Sequence, residues 1–407
     1  MAVTRSQWVV LATVTLNMAG VGLVWPILPT LVETLSDGGV SSTAALVGLI
    51  SVAYALMQFL FAPLIGGLSD RYGRKPVMLL SLAGLGLDNL FLVLAPTIAW
   101  VLVGRALGGI FGATFAVANA YMADVTDGKD RAAAFGLVGA AFGLGFILGP
   151  LIGGVLGEIG LRVPFYFAAA LSVLNLIFGL FFLEETLPPE KRGDAGSGNR
   201  GILKALGWMA ANPVILPLAV ALLIANTVQR GLEAVWVLFA GVQYGWGMRE
   251  AGFSLAVVGI CYVFVQAVMV RHVVKRFGEV ATLVGGFTVS AAMYVVLSFN
   301  ETGLIGYLGI VPHVLGWGVA GPALQALASQ QASAQEQGLL QGGLSAVNGM
   351  AAIVGPAIST AMFAVFTNPA APLYFPGAFF LAGSLLLLLA AGIGATAARN
   401  LGKENSG

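Results

Sequence analysis

The sequence predicts an all-α membrane protein of twelve membrane-spanning helices, organised as two pseudo-symmetric six-helix bundles. Three observations predict it. Charged residues make up 9% of the 407-residue chain and hydrophobic ones 58%, with a mean hydropathy of +0.93, whereas a soluble domain carries about 25% charge. Apolar runs of bilayer-crossing length recur along the chain, parted by short clusters of charge, proline and glycine. Finally, segments of the first half reappear in the second at an offset of 205 or 206 residues. Helices are preferred to strands because open strands would leave backbone groups unpaired in lipid.

Taken in order, the first run lies near 8–32. It follows Arg5 and resembles a secretory leader, but no small-residue cleavage site follows and Trp25-Pro26 continues the apolar run to Leu31. It therefore reads as a retained span. The second run, near 43–67, ends in the turn GGLSDRYGRKP (66–76), where Asp70, Arg71, Arg74 and Lys75 mark an aqueous face. The third (76–95) carries Asp88, the fourth (98–123) Arg105 and Asn119. In the fifth (133–157), GLGFILGPLIGG presents Gly145, Gly149 and Gly153 as a small-residue face for close helix contact, and Pro150 permits a bend. The sixth occupies 163–183. From Glu184 to Asn212 the chain holds Pro188, Pro189, Gly193, Gly196, Gly198 and at least six charges, and reads as a flexible cytoplasmic linker between residues 1–183 and 213–407. The second half then runs through spans near 213–240, 251–271, 279–298, 303–328, 338–365 and 373–398.

The two halves echo one another. FILGPLIGG around Gly149-Pro150 matches AIVGPAIST around Gly355-Pro356, and RYG at 71–73 matches RFG at 276–278. A repeated six-helix unit implies a substrate site near the membrane midplane where the repeats meet. Orientation follows from Lys and Arg. With the N-terminus cytoplasmic, fifteen of the nineteen fall on the cytoplasmic side, so both termini are expected there, in a cell membrane.

Composition excludes several functions. A net charge of +1 provides no field for nucleic acid. Cys261, the only cysteine, can form neither an intrachain disulfide nor a cysteine metal cluster and reads as a packing group. His272 and His313 are the only histidines, so an enzyme's nucleophile–base or metal constellation is not visible, and neither is a cofactor site.

Charge inside a span costs about 2.5–3.5 kcal/mol at the helix centre, which makes such residues functional candidates. Asp88 lies twelve residues into its span, about 18 Å deep at 1.5 Å per residue. It has no charged partner on its own helix, and reads as a proton or cationic-substrate site or as a carboxyl satisfied by hydroxyls and amides. Arg105 is a functional candidate on the same ground, or packs against a carbonyl or acidic neighbour. Arg230 and Glu233 share one face of the seventh span, as a neutralising pair or as a site where substrate or proton competes for Glu233. His313, beside Pro312, is a titratable group or a structural hydrogen bonder. Asn17, Asn119, Gln229 and Gln341 line a cavity or join helices. Tyr54, Phe115, Trp236, Phe239 and Tyr262 are candidate apolar lining.

The GGLSDRYGRKP turn resembles the signature loop between the second and third helices of the major facilitator superfamily, and the GPLIGG stretch resembles that superfamily's exporter motif. GVGLVWPILPTL (20–31), YALMQFLFAPLIGGLSDRYGRKPVMLLSL (54–82), LGLDNL (85–90), GATFAVANAYMADVT (112–126), VWVLF (235–239) and PALQALASQQ (322–331) look like the Tet family of tetracycline/H+ antiporters. The resemblance covers nearly the whole chain. It implies a twelve-helix transporter that alternates between inward- and outward-open states, exports drugs or amphipathic molecules against protons, and works as a monomer. It puts the family's third-helix Asp on Asp88 and its loop Asp and Arg on Asp70 and Arg74. Arg105 resembles the fourth-helix Arg linked to proton transfer. Elsewhere the chain departs: Asn17 stands where the family has an Asp, Ser290 stands near another, Tyr262 near a His, and Arg230 and Glu233 are added charge. Asp70, Arg74, Asp124 and Arg131 are expected to latch a cytoplasmic gate, with Gly149 and Pro150 supporting it. The alternative is a facilitator or proton symporter of a small metabolite, anionic if Arg105 and Arg230 stand free.

Overall fold

A computed structural model describes residues 3–112, 114–127, 130–193, 198–333 and 335–404. Lys129 and residues 194–197 of the expected linker lie outside them. In chain order the helices are α1 (Arg5–Val24), α2 (Leu28–Thr34), α3 (Gly39–Tyr72), α4 (Arg74–Leu94), α5 (Ile98–Phe111), α6 (Thr114–Asp124), α7 (Arg131–Ile159), α8 (Val163–Phe182), α9 (Gly198–Ala211), α10 (Ile215–Tyr244), α11 (Met248–Phe264), α12 (Val270–Phe299), α13 (Gly303–Ser329), α14 (Gln337–Phe366) and α15 (Ala378–Glu404). No strand occurs among the described residues.

Eleven helical runs among these residues are long and apolar enough to cross a membrane. One of them, Met248–Phe299, is 52 residues long and contains both the eighth and the ninth expected spans. At 1.5 Å per residue it is more than twice the ~30 Å of a hydrocarbon core. Its helical path breaks at Gly278, where φ is +77°. Gly73, the matching residue of the first repeat, parts α3 from α4 with φ +106°. A side chain would be strained in either conformation, so each RYG/RFG triplet ends one span and starts the next through a single glycine. The first span is also interrupted. Pro26 cannot continue the helical ladder, and the run expected over 8–32 divides into α1 and α2.

Two compact units account for the packing. The first contains Met1–Asp37, Ala53–Gly198 and Gly247–Gly259; the second contains Gly38–Val52, Asn199–Trp246 and Ile260–Gly407. They are not simply the runs 1–183 and 213–407, because each takes in one end of a long helix from the other run. Within the first unit α1 lies on α7 and α8, α4 on α5 and α8, and α6 on α7. Here Gly149 brings backbones together: a Cβ on it would stand 2.6 Å from the Ala19 carbonyl oxygen. Its core joins Val10, Val14, Met78, Tyr121, Met122 and Val138, all fully or nearly fully buried. Within the second unit α10 lies on α14 and α15, and α12 on α13 and α15. Gly355 repeats the role of Gly149 there, its Cβ position 2.6 Å from the Thr227 carbonyl oxygen. Large apolar side chains such as Phe181, Ile159, Leu308 and Leu385 are exposed, as expected where lipid is the solvent.

The described residues of the 184–212 segment hold more regular structure than its composition suggests. Pro189–Lys191 form a 3-10 turn and α9 follows. Ala205 and Met209, one helical turn apart, are buried, while Leu203 and Lys204 are exposed. This amphipathic face, with indole Nε1 of Trp208 donating to Glu336 Oε1 at 3.2 Å, docks α9 beside the start of α14. The Glu336 carboxylate also accepts from the Ser333 hydroxyl (2.7 Å) and amide (3.0 Å). These Ser333 bonds, then the Trp208 bond, hold the Glu336 carboxyl below the ordinary carboxylate range. Since the folded pKa is the depressed one, the stabilisation is present above the unfolded value and lost as pH falls through the folded one. Acidification below about pH 4 should thus loosen α9, raising amide exchange over 201–211 and altering Trp208 emission. Glu336→Ala should give the loosened signals already at pH 7.

Candidate functional site

Asp88 enters the first unit from the middle of α4, and its partner comes from the neighbouring helix. Arg105 on α5 donates through Nε to Asp88 Oδ1 at 3.0 Å and through Nη2 to Oδ2, a bidentate ion pair. The Asp88 side chain is 2% exposed and that of Arg105 11%. Room for the carboxylate exists because α5 offers no side chain opposite it: a Cβ on Gly108 would fall on Asp88. The Arg105 guanidinium lies 5.5 Å from the centroid of the Tyr54 ring on α3, a cation–π distance. Nearby, Asn89 donates to Ser172 Oγ (3.1 Å) and Gln58 to the Gly112 carbonyl (3.2 Å). The pair is neutral as a unit. A proton added to Asp88 would remove the charge that holds Arg105, so protonation and guanidinium position are linked.

A second cluster occupies the α3–α4 turn. Arg74, 8% exposed, donates through Nη1 to Asp70 Oδ1 (2.6 Å) and Ser69 Oγ (2.7 Å), and through Nε to Asp124 Oδ2 at the end of α6 (3.0 Å). The positive-φ Gly73 turns the chain so that the first residue of α4 points back at the last turn of α3. Arg131 does not join them: it is exposed at the start of α7 and belongs to none of the ion pairs among the described residues. Gly149 and Pro150 lie on α7, against α1.

In the second unit Arg230 Nη1 and Glu233 Oε2 are 2.8 Å apart on α10, with side chains 46% and 26% exposed. This pair is far more open than Asp88–Arg105. Gln229 donates to Glu233 Oε1 at 3.4 Å, and its own Oε1 is buried without a partner. Asn226 donates to Asn348 at 2.8 Å. His313 is buried on α13, with Nδ1 2.7 Å from Ser290 Oγ and its ring centroid 5.2 Å from that of Tyr294. His313 thus hydrogen-bonds between α12 and α13. Asn17 is buried in α1, Asn119 donates to the Phe115 carbonyl (3.1 Å), and Gln341 is exposed on α14. No group of three metal-ligating side chains occurs among the described residues.

Sequence reasoning therefore named the charged members of each cluster, with Gln229 and Tyr54 among the neutral ones, and missed Ser69. Ser69 carried no signal, since a serine in an apolar helix more often bonds its own backbone, and the pairing of Ser290 with His313 joins two helices. The Asp88–Arg105 pairing was invisible because it spans two helices, whereas Arg230–Glu233, three apart on one helix, could be read directly.

Asp88→Asn should leave Arg105 buried without a counter-charge, a defect of roughly 3–5 kcal/mol. The double variant Asp88→Asn/Arg105→Gln should unfold at a higher temperature than Asp88→Asn alone. Thermal unfolding of the detergent-solubilised variants measures this, and strict additivity would show that the two side chains do not interact.

A family profile described as the Major Facilitator Superfamily matches residues 10–342. The tetracycline resistance protein of class C from Escherichia coli is 40% identical over 357 residues, covering 88% of this chain and 89% of that protein. The class B protein of Escherichia coli is 34% identical, over 91% and 90% of the two chains. Multidrug resistance protein 2 of Bacillus subtilis is 28% identical over 92% of each. Among solved structures, a bacterial homologue of the human lysosomal transporter Spinster, in an inward-facing unoccupied conformation, superposes with a TM-score of 0.78 at 17% identity, covering 98% of each chain. The human organic anion transporter MFSD10 gives 0.70 at 23% identity, over 96% of this chain and 99% of that one.

Proposed function

Since the chain belongs to the Major Facilitator Superfamily and is a multi-pass membrane transporter, not an enzyme, we propose that it exports drugs or other amphipathic small molecules in exchange for protons. The observation that carries this reading is the buried Asp88–Arg105 pair. A titratable carboxylate deep in a span, held by one releasable guanidinium, is the kind of group a proton-coupled carrier needs. The names of the relatives, tetracycline and multidrug resistance proteins, supply the class of cargo.

In this reading the repeat halves, 1–183 and 213–407 with 184–212 between them, alternate access across the membrane as one monomer surrounded by lipid. The Lys and Arg bias puts both termini in the cytoplasm and makes the α3–α4 turn a cytoplasmic one. Asp70, Arg74 and Asp124 then latch a cytoplasmic gate, since opening it would strip Arg74 of partners on two helices. Arg131 drops out of that latch, since among the described residues it forms no ion pair with Asp70 or Asp124. Asp88 and Arg105 couple the proton, and Glu233, with Arg230 and Gln229, is the second polar site. The metabolite-symporter alternative loses its anionic form, because both intramembrane arginines are already paired to carboxylates.

Reconstituted into vesicles with an imposed pH gradient, the protein should move tetracycline or a cationic dye against the proton gradient. Asp88→Asn should reduce gradient-driven transport by about tenfold or more, equivalent to ~1.4 kcal/mol. Transport indifferent to the gradient, with coupling intact in Asp88→Asn, would overturn the antiporter reading. Thermal stabilisation by tetracycline that Asp88→Asn abolishes would assign the cargo itself.

A further inference from the structure

The segment that follows the sixth span does more than lead out of the membrane. Glu185 turns back onto the α3–α4 turn, and its Oε1 accepts the backbone amides of Arg74 (2.9 Å), Thr186 (3.0 Å) and Leu187 (3.0 Å). Arg74 is the first residue of α4, and the residue before it is Gly73, which has no side chain with which to cap the helix. The orphan amide at this helix start is therefore satisfied by a carboxylate borrowed from 111 positions further along the chain. Negative charge is also favoured at that end of the helix dipole. Space for the carboxylate depends on Gly73, since a Cβ there would collide with Glu185 Oε2.

The same segment holds the other members of the cluster. Thr186 Oγ1 donates to Asp124 Oδ2 (3.2 Å), the oxygen that also receives Arg74 Nε. Gly193 N–H donates to the Asp70 carbonyl (3.3 Å), and Lys75 Nζ to the Leu180 carbonyl (3.1 Å). Arg192 Nη2 stands 3.8 Å from Glu185 Oε2 and its Nε donates to the Leu187 carbonyl (3.3 Å), closing the segment on itself. Asp70, Arg74 and Asp124 are thus each tied to residues 185–193.

We propose that Glu185 is a positioning residue of the gate: it caps α4 at Arg74 and so fixes the backbone from which the Arg74 guanidinium reaches Asp70 and Asp124, making the start of the inter-repeat segment part of the latch. This rests on the gate reading of Asp70, Arg74 and Asp124. Any force on residues 186–193 is then transmitted to the latch through the Glu185 carboxylate, together with the Thr186–Asp124 and Gly193–Asp70 hydrogen bonds. Gln keeps an oxygen for the amides but gives up the charge, whereas Ala gives up both.

Amide hydrogen exchange of the full-length protein in lipid nanodiscs tests this without a known cargo. Glu185→Ala should speed exchange of the Arg74 and Leu187 amides by on the order of tenfold or more, and Glu185→Gln by less. If Glu185 positions the latch, Glu185→Ala should also speed exchange over 62–69 and 119–124, as Asp70→Asn does. The double variant should then add little to either single one, as coupled neighbours require. Unchanged Arg74 exchange in Glu185→Ala would overturn the cap. Faster Arg74 exchange with 62–69 and 119–124 unaffected, while Asp70→Asn disturbs them, would overturn the positioning role and leave the gate reading standing. Silence of Asp70→Asn over these segments would instead remove the gate reading, and the positioning role with it.

Discussion

Inside a bilayer no water is present to satisfy a polar group, so every charge and every backbone amide must find its partner within the chain. Much of this structure follows from that constraint. It makes the chain helical, and makes Asp88 and Arg105 seek one another across two helices. A bidentate pair, closed off from the surroundings and facing a glycine, is a stable answer to the cost of burying a carboxylate. It is also a responsive one, because each partner depends on the other's ionisation.

The two ion pairs within the spans solve the problem differently. Asp88–Arg105 is interhelical and closed, so separating it is costly and has consequences for how α4 meets α5. Arg230–Glu233 lies within one turn of α10 and is half open, so separating it changes little in the packing. Buried His313 is held by Ser290 against Tyr294, an arrangement suited to joining α12 and α13.

The repeat shows how much backbone geometry survives while side-chain chemistry diverges. Gly73 and Gly278 both have positive φ, and Gly149 and Gly355 both bring helix backbones into contact, although most residues around them differ. Around Gly73 the first unit has assembled serine, aspartate, arginine and threonine into a hydrogen-bonded cluster. Around Gly278, Glu279 stands where Arg74 would be and accepts from Gln330 at 3.2 Å. Both turns share a positive-φ conformation that a side chain would strain, whereas the charges around them differ.

Legibility followed the range of each interaction. Span count, the divided eighth and ninth spans, the glycine turns and the Arg230–Glu233 pair could all be read from the sequence, because hydropathy, positive φ and same-face spacing are local properties of a helix. The order in the 184–212 segment was not legible: a region rich in Pro, Gly and charge reads as flexible, and its docking depends on Trp208 finding Glu336 and on Ala205 and Met209 finding a surface. Arg131 illustrates the converse. Its charge and its place at a span end suggested the latch, but it is the direction in which α7 presents it that decides, and it stands exposed. What the sequence by itself determined, then, was a helical membrane transporter with acidic and basic groups set within its spans. Which of those groups meet was decided only by the tertiary structure, because burial forces a charge onto whichever partner the packing brings within about 3 Å, and packing joins residues that no spacing along one helix relates.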